Sequence, residues 1–126
     1  MTIHIKMTEH EHYIEFIVTG QYDIAEGIEK FSYALEACRK SGLTKMLVDY
    51  RELEYRGEAT EKVLYAFGIE DLYRKHLEKG GPKLKIAYLA PLIHHFEPGR
   101  DIAHQIPELK FDLFEDREQA LGWLDV

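Results

Sequence analysis

The residues best suited to bind a metal ion in this sequence are histidines. The chain contains seven of them, of which His10 and His12 lie two positions apart and His94 and His95 are adjacent. Zinc sites usually take three or four ligands from cysteine, histidine and carboxylates, at spacings such as His-x-x-x-His. Neither that spacing nor His-Glu-x-x-His occurs, and the single cysteine, Cys38, falls at an apolar helical position. The sequence therefore predicts no metal site and a buried, inert thiol at Cys38.

Residues suited to nucleophilic catalysis or phosphate binding are equally sparse. The two serines, Ser32 and Ser41, fall within and at the end of a predicted helix, outside any nucleophile elbow. The pair Gly80-Gly81 precedes Pro82 and lacks the lysine and hydroxyl of a phosphate-binding loop. Carboxylates are plentiful, but the sequence gives no distances from which to select an acid–base pair. No cofactor is predicted, and no feature favours an enzyme.

Composition limits the class of protein. The chain has 126 residues, of which 45% are hydrophobic, enough to fill one compact core. Its formal net charge of −7 opposes binding to nucleic acid, because the 16 basic residues do not cluster. No segment approaches the roughly 18 apolar residues that a membrane span needs. We expect a single domain over residues 1–126, located in the cytoplasm.

Hydrophobic periodicity predicts the elements that position the polar residues. Alternation over 2–7 and 13–19 predicts a β-hairpin, and helical spacing over 24–38 predicts the first helix. Short apolar runs predict buried strands over 46–49 and 84–90, and alternation predicts a last strand over 109–114. Between them, the sequence predicts a loop over 50–59, a helix from 60 to about 77, an irregular segment over 91–99 and a short helix over 100–105, with a final helix after 116. The order ββαβαβαβα predicts an α/β fold with a mixed, mostly parallel sheet, an opening β-hairpin and covering helices.

Several helix ends carry capping signals. Asp23 followed by Glu26 is typical of a capping box at the start of the first helix. Gly42 is placed to end that helix in the left-handed conformation. Thr60 and Asp116 are predicted to cap the second and the last helix.

Three segments share features with one known group of domains. These are Met46-Leu47-Val48-Asp49 running into a charged loop, Ile86-Ala87-Tyr88-Leu89 ending at Ala90-Pro91, and the C-terminal stretch from Phe114 through an acidic segment to Ala120 and Trp123-Leu124. With the opening hairpin, they resemble the SpoIIAA-like domains of the STAS/Sec14-like fold. The resemblance implies that fold over nearly the whole chain.

The resemblance also implies a range of functions. STAS domains of anti-sigma-factor antagonists bind partner proteins and are switched by phosphorylation of a serine before the second helix, whereas Sec14-like relatives carry lipids or other apolar ligands. This chain departs from the antagonist pattern, because Thr60 provides the only hydroxyl at the start of the second helix apart from the Tyr55 phenol. Phosphorylation of Thr60 is one interpretation and a plain helix cap is the other, since Glu58 and Glu61 would oppose a phosphate there.

Polar residues follow two of the predicted parallel strands. In such sheets, ligands tend to bind beyond the carboxyl ends of the strands. The candidate ligand-binding residues in the two loops are Arg51, Arg56, Glu58, Thr60, His94, His95 and Arg100. The alternative is that these are solvated loop charges that form weak surface ion pairs.

Three functions remain open from the sequence. The leading one is a non-enzymatic regulatory or protein-binding module of the STAS/SpoIIAA-like type, with another protein or a second copy of the chain as its partner. The second is a carrier or sensor of a small apolar or amphipathic ligand, with Arg51 or Arg56 holding its polar group. The aromatic residues proposed for that pocket are Tyr65, Phe67, Tyr73, Tyr88 and Phe96. The third is an enzyme of unknown class.

Overall fold

The structure is a computed structural model that describes residues 3–21, 23–54, 59–90 and 109–126, and only the backbone over 59–67. In this part of the chain, six strands form one sheet and three helices pack on it. The strands are β1 (Ile3–Glu9), β2 (Ile14–Gln21), β3 (Lys45–Asp49), β4 (Leu53–Glu54), β5 (Lys85–Leu89) and β6 (Lys110–Phe114). The helices are α1 (Ile24–Ser41), α2 (Ala59–Glu78) and α3 (Arg117–Leu124).

The sheet has the strand order β1-β2-β3-β5-β6, and β4 pairs with the end of β2. β1 and β2 form an antiparallel hairpin, whereas β2, β3, β5 and β6 run parallel to one another. The predicted α/β fold, with a mixed, mostly parallel sheet and an opening hairpin, is therefore confirmed. Parallel strands need long crossover connections, which α1 and α2 supply.

Helices cover both faces of the sheet because its central strands are apolar on both sides. The larger core lies under α1 and α2, where Phe16, Val48 and Ile86 of the sheet form a cluster with Phe31 and Tyr73. The opposite face packs against α3. Its buried residues are Leu47, Ala87, Leu89, Ala120 and Leu124.

The ends of α1 bear out one capping prediction and contradict the other. The side chain of Asp23 makes no cap hydrogen bond, and Glu26 Oε1 instead accepts from the backbone N–H of Ile3 at 3.4 Å. Asp23 occupies the N-cap position as predicted, but the capping box is wrong because its side chain makes no cap hydrogen bond. Gly42 ends the helix with φ +77° and donates to the carbonyl of Cys38, as predicted. Cys38 is fully buried, as predicted, and burial raises the pKa of its thiol to about 12.

The segment that follows β3 contains a strand where a loop was predicted. Leu53 and Glu54 of β4 pair with Gly20 and Gln21 of β2. A two-residue strand has no alternation to detect, so hydrophobic periodicity does not reveal it.

Other predicted features fall partly outside the described residues. In α2, Leu72 and Leu77 pack against the larger core as predicted, whereas 63, 64 and 67 belong to the part described by backbone alone. The irregular segment over 91–99 and the helix over 100–105 lie outside the described residues. Among the described residues, no helix combines the length and apolarity needed to cross a membrane.

Helix α3 is short, and polar contacts hold both of its ends. Asp116 caps the first turn through its side chain, as predicted. At the other end, Lys45 Nζ donates to the carbonyl of Asp125 at 3.1 Å. Lys85 Nζ donates to the carbonyl of Trp123 and lies 4.6 Å from the centre of its ring. Cations at a helix C-terminus interact favourably with its dipole, so the two lysines help to dock α3 on the sheet.

A buried histidine holds the C-terminal end of α2. His76 is 1% exposed, with Nδ1 2.9 Å from Nη1 of Arg39 and Nε2 2.7 Å from the carbonyl of Pro82. Arginine only donates, so Nδ1 accepts and Nε2 carries the proton, which makes the ring neutral. Burial lowers the pKa of His76; the bond to Pro82 partly offsets this, and the charge of Arg39 adds to it.

We expect acid to weaken the fold through His76. Because its pKa is lower in the folded than in the unfolded chain, its contribution is complete above about pH 6.5 and is lost progressively as the pH falls below that value. Urea unfolding at about pH 7.5 and about pH 5.5 tests this in the wild type and in His76→Gln, which keeps a neutral donor and acceptor. On going from about pH 7.5 to about pH 5.5, the wild type should lose more free energy of unfolding than His76→Gln does. Equal losses in both proteins would contradict the assignment.

The turn after α2 leaves no room for a side chain at position 81. A Cβ on Gly81 would collide with the ring of His76. We expect Gly81→Ala to lower the free energy of unfolding by about 1–3 kcal/mol, the usual cost of overpacking. Gly122→Ala is the matched control, since a Cβ there meets nothing within 4 Å, and it should stabilise α3 by roughly 0.5–1 kcal/mol. Thermal unfolding of both variants measures the difference, and an unchanged Gly81→Ala would refute the predicted collision.

Candidate functional site at the carboxyl edge of the sheet

β3 ends at Asp49, whose carboxylate is held by Arg51. Asp49 Oδ1 accepts from the backbone N–H of Arg51 at 3.0 Å and from its Nε at 3.1 Å, and Oδ2 accepts from Nη2 at 2.9 Å. The side chain of Asp49 is 10% exposed, whereas that of Arg51 is 43% exposed. A guanidinium bound through two nitrogens has a fixed orientation. Arg51 is therefore an ordered, accessible cation at the carboxyl edge of the sheet.

The electrostatics of this pair keep both groups charged. Burial raises the pKa of Asp49, but the hydrogen bonds from the side chain and backbone of Arg51 more than compensate, and the charges of Arg51 and Arg117 contribute too, so the net pKa is lowered. The hydrogen bond to Asp49 in turn raises the pKa of Arg51. Such a carboxylate remains ionised at neutral pH.

A second buried carboxylate lies on the neighbouring strand. The register pairs Ile17 of β2 with Asp49 of β3, so Glu15, two residues before Ile17, projects from the same face of the sheet as Asp49. Glu15 Oε1 accepts from Nη2 of Arg117 at 3.1 Å and lies 2.9 Å from Nε2 of His10. Arg117 is the first residue of α3, so this pair joins α3 to β2.

The loop of the hairpin completes the surroundings of Glu15. His10 stacks on Tyr13 with ring centres 4.4 Å apart, and its backbone N–H donates to the Tyr13 carbonyl at 2.9 Å. The Tyr13 hydroxyl accepts from Arg117 at 3.4 Å. Burial lowers the pKa of Arg117, but the hydrogen bond and charge of Glu15 outweigh it and the net pKa is raised. Glu15, Asp49, Arg51 and Arg117 are called the charged network below.

The charged network orders a surface and is poorly suited to catalysis. Each carboxylate accepts hydrogen bonds from a guanidinium that stays ionised, so neither is placed to act as a general base. In the described part of the chain, no group of three or more His, Cys, Asp or Glu side chains is arranged to hold a metal ion.

A small apolar cavity lies on the opposite face, between α1 and the carboxyl half of the sheet. Its volume is about 40 Å³, and Phe31, Val48, Tyr50 and Tyr88 are among the residues that line it. Tyr88 stacks on Tyr50 with ring centres 5.6 Å apart. Ligand pockets usually exceed roughly 300 Å³. This cavity accommodates water-sized groups and is too small for a fatty-acid chain.

The aromatic residues proposed for a ligand pocket are described only in part. Tyr73 is fully buried, and its hydroxyl accepts from the backbone N–H of Leu84 at 3.0 Å, which makes it a core residue that fixes the start of β5. Tyr88 is buried beside the small cavity. The side chains of residues 65, 67 and 96 lie outside the described part.

The structure describes the side chains of few of the predicted site residues. Arg51 is described, and it forms an ion pair with a buried carboxylate rather than a weak pair between two surface groups. α2 begins at Ala59, so the backbone of Thr60 lies in its first turn, and the roles predicted for its hydroxyl stay predictions. The remaining predicted residues, Arg56, Glu58, His94, His95 and Arg100, lie outside the described residues.

Glu15 and Arg117 were not among the candidate residues predicted from the sequence. Glu15 and Ile17 lie on the same side of β2, which is the more polar side of the strand. The apolar Ile17 on that side is a signal in the sequence that the side is also covered. Arg117 occupies the first turn of a helix, where a cation opposes the helix dipole. That placement indicates a specific anionic partner, although the sequence alone does not identify it.

Comparison with known proteins shows the fold. No protein-family model matches the chain, and no curated protein matches it significantly. A solved anti-sigma factor antagonist from Mycobacterium paratuberculosis is 15% identical, with a TM-score of 0.61 over 99% of this chain and 96% of that one. An uncharacterized DUF3478-family protein with a SpoIIAA-like fold from Shewanella loihica PV-4 is 23% identical, with a TM-score of 0.57 over 98% and 94%. The unphosphorylated anti-sigma factor antagonist SpoIIAA is 10% identical, with a TM-score of 0.54 over 97% and 96%.

These matches agree with the architecture described above. The chain has a SpoIIAA-like fold, as the sequence resemblance implied. At identities below 25%, the likeness establishes the arrangement of strands and helices, while function depends on the surface residues.

We expect Arg117→Ala to destabilise the protein by about 1–3 kcal/mol, because it leaves the buried carboxylate of Glu15 without its guanidinium partner. Arg74→Ala is the matched control: Arg74 pairs with Glu70 on the surface of α2, and such pairs contribute about 0.5 kcal/mol. Urea denaturation at neutral pH measures both changes. Adding Glu15→Gln to Arg117→Ala should recover part of the loss, and equal small effects in both single variants would contradict the prediction.

Proposed function

We propose that this chain is a protein-binding regulatory module. The observation that carries the proposal is its SpoIIAA-like fold, which matches two anti-sigma factor antagonists over nearly the full length of each chain. An antagonist of an anti-sigma factor acts on another protein, and the proposal extends that mode of action to this chain. It places the module in the cytoplasm, where the reducing conditions suit a protein with a free, buried cysteine.

The charged network supports this function by providing an ordered docking residue. Asp49 fixes the orientation of Arg51 while nearly half of the guanidinium side chain stays exposed. A side chain that is already ordered loses little conformational entropy on binding. Arginine is also enriched among the residues that dominate interface energies, because it can contact carboxylates and aromatic rings. The proposed partner presents an acidic group to Arg51.

The proposed module does not use the serine switch of anti-sigma-factor antagonists. The sequence from 55 to 60 contains no serine, and the acidic Glu58 and Glu61 flank its threonine, Thr60. A phosphate added there would be repelled by both carboxylates. Regulation through the abundance or the affinity of the partner is more consistent with these residues.

The other two functions receive less support from the described residues. The cavity under α1 has a volume of about 40 Å³, which does not favour it as the site of a bound lipid. The buried carboxylates Glu15 and Asp49 are bound to arginines, which does not favour acid–base catalysis.

Partner capture with matched variants tests the proposal. The baits are the wild type, Arg51→Gln, which keeps a donor for Asp49, and Lys83→Gln, which removes one positive charge at the opposite edge of the sheet. A genuine partner should bind the wild type and Lys83→Gln. Calorimetry with the purified partner should show about tenfold weaker binding to Arg51→Gln, as expected for an interface hot spot.

Two results would contradict the proposal. Failure of the wild type to capture any protein would remove the protein-binding function. Equal affinity of a purified partner for all three baits would remove Arg51 from the interface. Circular dichroism and the unfolding temperature of each variant distinguish a lost contact from a lost fold.

A further inference from the structure

The outer edge of β1 is unpaired in the part of the chain that the structure describes. β1 is the first strand in the sheet order and pairs with β2 on one side. The backbone N–H of Ile3 points away from β2, since it reaches Glu26. Backbone groups of alternate residues in a strand point to the same edge. The N–H and C=O groups of Ile5, Met7 and Glu9 therefore point to the outer edge as well.

An open groove runs beside this edge, between β1 and α1. Its volume is about 320 Å³, and Met7, Tyr33 and Ala37 contribute its apolar part. Glu36 and Lys40 form an ion pair of 3.2 Å at its rim. Met7 is 42% exposed and Tyr33 is 51% exposed. An exposed apolar surface next to an unpaired strand favours the addition of another strand.

We propose that a second copy of this chain docks on the outer edge of β1, so that the two β1 strands pair antiparallel about a two-fold axis at Met7. In this register, Met7 lies opposite Met7 of the second copy, Lys6 opposite Thr8, and Ile5 opposite Glu9. Moving the axis to residue 6 would place the two Lys6 side chains opposite each other, which is unfavourable. The axis at Met7 avoids that repulsion and covers the exposed Met7 and Tyr33.

Charge complementarity selects a second copy as the occupant. Ile5 and Lys30 both line the cavity under α1. In the proposed register, Glu9 of the second copy lies opposite Ile5, on the face of the sheet that α1 covers, and the proposal pairs this Glu9 with Lys30. The two-fold axis creates this contact twice, with the apolar Met7 and Tyr33 between the two contacts. An apolar centre with opposite charges at both ends is the pattern of a self-complementary interface.

Sedimentation velocity over a range of concentrations tests the dimer. The wild type should associate reversibly, and Met7→Glu should raise the dissociation constant at least about tenfold, as expected for a central interface residue. Val126→Glu is the matched control. Val126 is 41% exposed, and the substitution adds the same charge away from this edge. A wild type that stays monomeric, or a Met7→Glu variant that dimerises as well as Val126→Glu, would overturn the proposal.

A charge exchange tests the register. Lys30→Glu and Glu9→Lys should each weaken the dimer, and the double variant should restore it, because the two charges then meet again with their signs reversed. Failure of the double variant to recover would overturn the pairing about Met7. A monomeric chain that binds an added extended peptide along β1 would overturn the second copy as the occupant. Circular dichroism of each variant confirms that its fold is intact.

Discussion

The ion pair between Arg117 and Glu15 decides how the second face of the sheet is closed. α3 has eight residues, too few to be a stable helix by itself, and it buries mainly Ala120 and Leu124 against β3 and β5. Its N-terminus reaches β2 through Arg117, whose guanidinium is the charged partner of the buried Glu15 carboxylate beside His10. Burying the Glu15 charge without a cationic partner is costly, whereas Arg117 stays 39% exposed, so the dependence lies mainly on the side of Glu15. The pairing with Glu15 explains why an arginine occupies the first turn of α3.

The same pair extends its influence to the carboxyl edge. The charge of Arg117 helps to lower the pKa of Asp49, although Arg51 contributes more. The orientation of Arg51 itself comes from its hydrogen bonds to Asp49. The result is two separate surfaces: an ordered cation at the carboxyl edge, suited to an acidic partner, and an apolar strand edge at β1, suited to a second copy.

Sequence patterns predicted the mixed sheet, with all of its described strands except β4, because apolar residues dominate the central strands and α1. They failed where a distant contact decided the outcome. Glu26 was predicted to cap its own helix, but it contacts Ile3 of another element. Glu15 alternates with the buried Ile14 and Phe16, a pattern that predicts a solvent-facing side chain. The structure shows that it is buried, because α3 lies over this side of β2. Arg51 was predicted as a candidate because it follows a buried strand, and its role in binding stays a prediction; its bond to Asp49 depends on the local turn geometry, which the sequence does not show.

Hydrogen exchange of backbone amides, in the free chain and in the complex with its captured partner, tests binding at the carboxyl edge most directly. Amides of residues 50–54 should exchange more slowly in the complex, and those of residues 80–84 at the opposite edge should not change. Slower exchange confined to 80–84, or no change in either segment, would contradict a partner interface built around Arg51.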